Sequence, residues 1–475
     1  MAVSRHLLFA ILLPMAAVAA DFPPPLLIAH ATVIDASGAA PLGDADVLLR
    51  DGRIVSVGKA LVAPPDTQRI EARGRYLIPG LWDMHVHLLR KGRPEAYFPL
   101  LIANGVVGFR DMGGDLGFDE IARLRREIAD GSRLGPRFIA PGPLLDGPYP
   151  TLPSITRVLR NADDAAQAVL DLQRAGADFL KVYNRLPRDA YFALAATARA
   201  HHITFAGHVP LAVSAREASQ AGQKSIEHLF NVLFACSSQE DALMREKARA
   251  LDSTDVDERR QLRAHYLQAV LDSYDPARAQ ALFALFACNA TWQTPTLVQR
   301  RAYAFPEQAA PDAALLRYVP HDQRWRFDPG QDARLQGRDA ARQTLERRYF
   351  DMDRGQIALM RKAGVRFLAG SDAPDGEAVP GFSLHDELAE LVAAGLTPME
   401  ALQSATRNAG DYFGLGDTGV IAPGARADLV LLDADPRADI RNTRRIDAVI
   451  LDGRLLQRAA LQALLDQAAE AAAGP

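Results

Sequence analysis

The sequence predicts an α/β protein: a (β/α)8 TIM barrel with a small β-sandwich domain built from both chain ends. Three observations predict it. Eight short apolar strands recur through the middle of the chain, separated by Ala/Leu/Arg-rich helical stretches, the rhythm of a parallel sheet with helices outside. β-rich segments with Asp-Gly turns stand at both ends. The chain has 475 residues, 48% hydrophobic and 24% charged, enough for one large core and against global disorder.

The elements follow in order. Arg5 and His6 precede an apolar run from Leu7 to Ala20, and Val18-Ala19-Ala20 puts small residues ahead of Asp21. That is the pattern of a cleaved signal peptide over residues 1–20, and fourteen apolar residues are too few to span a bilayer. The expectation is a periplasmic or secreted protein with no stable membrane insertion after cleavage. Residues 21–76 hold strands at Ala31–Asp35, Asp46–Leu49 and Arg53–Val57, with Asp51-Gly52 as a hairpin turn. Residues 416–475 repeat the theme, with Asp428–Leu432, Ala448–Leu451 and the turn Asp452-Gly453, so the two ends are expected to pair into one β domain. Residues 77–415 form the barrel. Its candidate strands are Leu77–His87, Gly105–Asp111, Arg137–Pro141, Phe179–Tyr183, Thr204–His208, Ser225–Leu229, Trp292–Thr296 and Arg366–Asp372. The stretches at about 237–288 and 300–360 are too long for ordinary connections and read as helical insertions over the barrel mouth.

Composition excludes several classes. Fifty-four basic against 58 acidic residues give a net charge of −4, which removes the electrostatic case for nucleic acid or an anionic membrane. Two cysteines make neither a thiolate zinc module nor a disulfide scaffold; Cys236 and Cys288 fit either one disulfide or two free thiols.

The polar residues of the strands carry the chemistry. His85 and His87 stand at i and i+2, on one face of the first strand, so both imidazoles can address one ion. His208 and His228 each end a strand, in Gly207-His208-Val209-Pro210 and Ser225-Ile226-Glu227-His228. Asp372 ends the eighth, where burial demands a partner or a metal. Lys181 lies within the apolar Phe179-Leu180-Lys181-Val182, where burial depresses an amine's pKa, and Tyr183 follows on the same face. His385 follows the eighth strand and is a candidate substrate contact. Asp83 is expected to support a ligand histidine, and Arg110-Asp111 to form a buried ion pair.

This constellation resembles the amidohydrolase superfamily, specifically imidazolonepropionase-like and dipeptidase-like members with two metals. The resemblance rests on Pro79-Gly80-Leu81-Trp82-Asp83-Met84-His85-Val86-His87, on Gly364-Val365-Arg366-Phe367-Leu368-Ala369-Gly370-Ser371-Asp372 and on Leu396-Thr397-Pro398-Met399-Glu400-Ala401-Leu402. Gly419-Val420-Ile421-Ala422-Pro423-Gly424-Ala425-Arg426-Ala427-Asp428-Leu429-Val430 completes it. The resemblance implies that His85, His87 and Asp372 ligate the more buried ion and that His208 and His228 ligate the more exposed one. Lys181, carboxylated by CO2, would bridge both. It implies two divalent ions, best suited by Zn2+, and a hydroxide between them attacking a carbonyl. Asp372 would move the proton, and Tyr183 would bond the carbonyl oxygen.

The leading expectation is therefore an exported metal-dependent hydrolase of an amide-type C–N bond in a dipeptide, N-acyl amino acid or cyclic amide. Its partner is a small-molecule substrate, and a homo-oligomer is left open. The alternatives are a mononuclear hydrolase or deaminase with Lys181 unmodified, a lactone or organophosphate hydrolase, and a non-catalytic metal-binding protein. The complete ligand set argues against the last.

Overall fold

The structure is a computed structural model that describes residues 23–308, 314–328, 330–332, 335–375 and 377–474. The expected signal segment 1–20 lies outside the described residues. Seventeen strands are described. The first five are β1 (Leu26–Val33), β2 (Leu42–Arg50), β3 (Arg53–Gly58), β4 (Gln68–Glu71) and β5 (Tyr76–Pro79). The middle of the chain gives β6 (Leu81–Val86), β7 (Val106–Asp111), β8 (Arg137–Ile139), β9 (Leu144–Asp146) and β10 (Thr156–Val158). It continues with β11 (Phe179–Val182), β12 (Thr204–Gly207), β13 (Ser225–Glu227) and β14 (Trp292–Thr294). The C-terminal end adds β15 (Leu429–Leu432), β16 (Ile446–Leu451) and β17 (Arg454–Gln457).

Both chain ends enter one sheet, ordered β17-β16-β15-β5-β1-β2-β3, with β4 alongside β1. The contact that joins the ends is β5 against β15, antiparallel, with Val430 opposite Ile78. Alternation along these strands sends Leu26, Ile28, Val47, Leu429, Leu431 and Ile450 into one shared apolar cluster. The apolar run from Leu77 to His87 is thus two strands rather than one. It divides at Gly80, where a side chain would lie 2.5 Å from Val107. The sheet of the chain ends accordingly extends to Pro79, past the expected division at 76/77. The C-terminal helix Arg458–Ala473 leaves that sheet and packs on the helix Pro94–Ala103.

The middle strands are parallel. They form a three-stranded sheet, β6-β7-β8, and a six-stranded sheet, β10-β9-β11-β12-β13-β14. Single hydrogen bonds and bridges link the two sheets on both sides. Asp178 N donates to Ala140 O (3.0 Å) where β8 runs out. On the other side, residues 366–373 bridge Phe367 to Gln293 and Ala373 to Val86, both parallel. The expected eighth strand is therefore extended chain held by isolated bridges. Asp372 takes a left-handed φ of 60°, which interrupts a regular ladder. Gly370 lies so close to β6 that a Cβ would sit 2.6 Å from the Cβ of His85. Helices with acidic first turns and apolar inner faces, such as Phe118–Ala129 and Ala162–Ala175, fill the connections. The two cysteines are free, Cys236 buried and Cys288 exposed.

One ion-pair cluster ties the parallel strands to the chain-end sheet. Arg137, opening β8, is paired with both Asp428 and Asp452. Asp428 is 8% exposed, so removing the guanidinium strands a nearly buried carboxylate. Arg137→Ala is expected to cost about 2–3 kcal/mol, read as a lower urea midpoint with an unchanged far-ultraviolet circular dichroism spectrum before the transition.

Candidate metal centre

His85, His87, Lys181, Tyr183, His208, His228 and Asp372 lie at or next to the C-terminal ends of β6, β11, β12, β13 and the 366–373 segment. His85 Nε2 lies 3.2 Å and His87 Nε2 3.4 Å from Asp372 Oδ1. One ligand atom from each of the three lies within 4.8 Å of the others. His228 stands against this group, its ring centroid 4.6 Å from that of His85 and 4.8 Å from that of His208. The Tyr183 ring lies against that of His208, centroids 4.3 Å apart and planes tilted by 31°. Lys181 is wholly buried, and its Nζ has no hydrogen-bond partner among the described residues.

Each imidazole is oriented through Nδ1. That of His85 bonds Glu227 Oε2 (2.7 Å), and that of His87 bonds the Gly113 carbonyl (2.8 Å). Those of His208 and His228 bond Asn184 Oδ1 and Thr296 Oγ1, each at 2.6 Å. Carboxylate, carbonyl and amide oxygens only accept, so His85, His87 and His208 donate through Nδ1, and each imidazole, when neutral, offers its lone pair at Nε2. His85 Nε2 is itself buried with no hydrogen bond, although Asp372 is in contact. These are the donors a divalent ion requires, and the orphaned Nε2 and Nζ show that protein partners do not use them. The residues present fit a metal.

Electrostatics agree. Burial, then the neighbouring Lys181, holds His208 well below the usual imidazole range, and burial does the same for His228 despite Asp372. Both rings are therefore neutral near pH 7, the state in which an imidazole can ligate a metal. Burial alone would raise the pKa of Asp372, but His228 and His85 hold it far below the carboxylate range. Burial lowers Lys181 to about 8.

The supporting shell was only partly anticipated. Glu227 is fully buried and is paired with Arg110 at 2.8 Å, as well as with His85. Arg110, also wholly buried, donates further to the Met84 carbonyl (2.6 Å), to Ser225 and Tyr412 (2.9 Å each) and to Thr294 (3.2 Å). The ion pair expected at Arg110-Asp111 is thus Arg110 with Glu227. Asp111 instead accepts the backbone N–H groups of Leu88, Leu89 and Gly113, and so holds the loop whose carbonyl orients His87. Asp83 supports the site, though not through an imidazole nitrogen. It accepts from the His85 N–H and from both the N–H and hydroxyl of Ser371, beside Asp372. The signal for Glu227 was in the sequence. Period-2 alternation turns Ser225 and Glu227 to one face of β13, and β13 is buried throughout.

The structure does not bring His385 to this group. It is buried, with Nδ1 bonded to Thr443 (2.9 Å) and Nε2 to the Asn104 carbonyl (3.1 Å). Asn104 precedes β7, so His385 sits at the opposite end of that strand from Asp111. Both nitrogens are engaged in tying its helix down, which leaves nothing for a substrate.

Backbone strain gathers at the same end. His228, Leu229, Asn231, Thr296 and Asp372 all have φ between 49° and 63°. A non-glycine residue in that region costs on the order of 1–3 kcal/mol and persists only where surroundings fix it. Gly207 (φ 138°) lets β12 pass β11 closely: a Cβ there would meet the Val182 carbonyl at 2.1 Å. A cavity of about 540 Å3 opens above, touching Tyr183, His208, His228 and Asp372 on its floor. Residues from both stretches read as insertions, among them Lys247, Tyr266 and Tyr349, form its walls.

Known proteins share this organisation. Residues 332–456 match the model of the amidohydrolase family. Among curated proteins, a deacetylase of Agrobacterium fabrum is 41% identical over 69 residues, 14% of this chain and 17% of that protein. The chain spans about a sixth of the length of such relatives. Among solved structures, bottromycin amidohydrolase superposes with a TM-score of 0.74 at 25% identity, over 95% of this chain and 92% of its own. A putative prolidase from Bifidobacterium longum shares the fold, with a TM-score of 0.65, 23% identity and coverage of 94% and 99%. The family match over residues 332–456 and the structural likeness over nearly the whole chain together support a member of the amidohydrolase superfamily.

Proposed function

We propose that the chain is an exported, metal-dependent hydrolase of an amide-type carbon–nitrogen bond in a small molecule such as a dipeptide, N-acyl amino acid or cyclic amide. The observation that carries this reading is the convergence of His85 Nε2 and His87 Nε2 on Asp372 Oδ1, with each Nδ1 already taken by the protein. In this reading the linked parallel strands close as a (β/α)8 barrel over residues 77–415, capped by a sandwich of the two chain ends. Residues 1–20 direct the chain to the periplasm or beyond.

His85, His87 and Asp372 would hold the deeper ion, and His208 and His228 the one nearer the cavity. Lys181, between them, would be carboxylated on its neutral amine, which burial favours. The chemistry that bound divalent ions, zinc above all, supply is acidification of a water and polarisation of a carbonyl oxygen. The protein does the rest. Asp372, charged near neutral pH because the histidines hold its pKa down, accepts the proton of the attacking water and passes it to the leaving nitrogen. Tyr183, against His208 in the cavity floor, steadies the carbonyl oxygen.

Four outcomes test this. Exhaustive chelation should abolish hydrolysis of a dipeptide and N-acyl amino acid panel, and zinc or manganese should restore it. Elemental analysis should find close to two ions per chain; substantial turnover by metal-free protein sinks the reading, and close to one ion selects the mononuclear alternative. Asp372→Asn should lower kcat by roughly 10²–10⁴, measured on the best substrate of that panel. Lys181→Met should lose activity and the second ion while the metal-free protein gains up to about 2 kcal/mol in urea unfolding, because a buried amine without a partner has been removed.

A further inference from the structure

The cavity above the candidate metal centre is lined by several cations, and their pairing is uneven. Arg263 is held by Glu346 through two bonds, at 2.7 and 2.8 Å. Arg300 is paired with Asp353 and donates to the His228 carbonyl. Lys247, from the helix Glu240–Asp252, has a different environment. Its Nζ bonds the neutral Asn231 Oδ1 at 2.5 Å and lies over the rings of Phe230 (4.2 Å) and Phe234 (4.6 Å). No carboxylate among the described residues forms an ion pair with it. Burial and the charges of Arg263 and Arg300 disfavour its protonated form, lowering it to about 7, with only Asp353 acting the other way. An ammonium in a desolvated, cation-rich wall gains most from an anion brought in by a ligand.

Position gives that anion a meaning. Phe230 stacks on His208, at 4.6 Å and 25°, and Lys247 Nζ lies 4.2 Å from the centroid of the same ring. Lys247 and a candidate metal ligand thus contact one ring, and both line the same cavity. A molecule with its carbonyl at the metal centre and a carboxylate a few bonds away would reach both.

We propose that Lys247 is a specificity-determining residue that receives a carboxylate of the substrate, so that the favoured substrates are N-acyl amino acids or dipeptides rather than neutral cyclic amides. This rests on the hydrolase reading for which part of the ligand faces the ions. The apolar part of the ligand lies against Phe230, Phe234 and Tyr266.

The test uses ligands with no scissile bond. The metal-loaded full chain is titrated calorimetrically with 3-benzoylpropionate, the ketomethylene isostere of N-benzoylglycine, and with its carboxamide. The acid should bind at least 10-fold more tightly than the carboxamide, and that advantage should fall to within twofold in both Lys247→Met and Lys247→Gln. Two variants of similar length guard against one that fails to fold. Equal binding of acid and carboxamide by the unsubstituted protein, or an advantage that survives in either folded variant, overturns the proposal. Failure of the hydrolase reading shows separately, as absence of turnover of the amide panel by a protein that still discriminates acid from carboxamide.

Discussion

The interaction on which the rest of this structure depends is the contact of Arg110 with Glu227 in the middle of the parallel strands. Neither side chain has measurable exposure, and they lie 2.8 Å apart. A buried ion pair is weak evidence for stability, since desolvation offsets most of the Coulombic gain. Its value lies in geometry. Arg110 bonds groups from β6, β13, β14 and the helix Arg407–Phe413, so one planar guanidinium fixes the spacing of four elements. Glu227 then uses the same oxygen for His85 Nδ1. The group that neutralises the interior cation also sets the tautomer and direction of a candidate metal ligand. A change at Glu227 would reach the site through His85 and the fold through Arg110.

From that anchor the site is assembled by approach distance. β6 and the 366–373 segment meet so closely that only glycine fits at 370, and β11 and β12 meet so closely that only glycine fits at 207. These contacts set Asp372 beside His85 and His208 beside Tyr183. The backbone then leaves regular strand geometry, with Asp372 and His228 in the left-handed region. A regular strand would carry its last side chain to one face or the other; the left-handed step re-aims it across the strand end. Strain is therefore spent where five elements must point at one volume, and the ladders below supply the rigidity that holds it.

Much of this was legible because strand periodicity is local. His85 and His87 at i and i+2, and histidines at the ends of β12 and β13, need only the period of 2 to be placed. Lys181 stands out because burial in an apolar strand penalises an amine's charged form. The division of the Leu77–His87 run was harder. A continuous apolar stretch reads as one strand, and the steric demand at Gly80 comes from Val107, a residue of another strand. The orienting groups Asn184, Thr296 and the Gly113 carbonyl lie on loops, whose side-chain directions no periodicity fixes. His385 misled for a related reason. It follows the last strand in sequence, yet its helix is fastened to Asn104 at the far end of β7, a long-range contact with no local signature.

The insertions show the same limit from the other side. Their length and charge marked them as additions to a barrel, but the sequence assigns Lys247, Arg263 and Arg300 equal weight as cations in helical segments. What separates them is pairing, which only three dimensions reveal. Glu346 lies 83 residues from Arg263, and Asp353 lies 53 from Arg300. Once those carboxylates are committed, Lys247 is left with an amide oxygen and two aromatic faces. Neither can neutralise a charge, although both can stabilise one. Among the described residues no carboxylate pairs with Lys247, so the proposed anion would come from a ligand, as the ions proposed for the floor would. His208 and Lys247 meet the same Phe230 ring, and in the proposed reading that shared ring sets how far a ligand's carboxylate stands from its carbonyl.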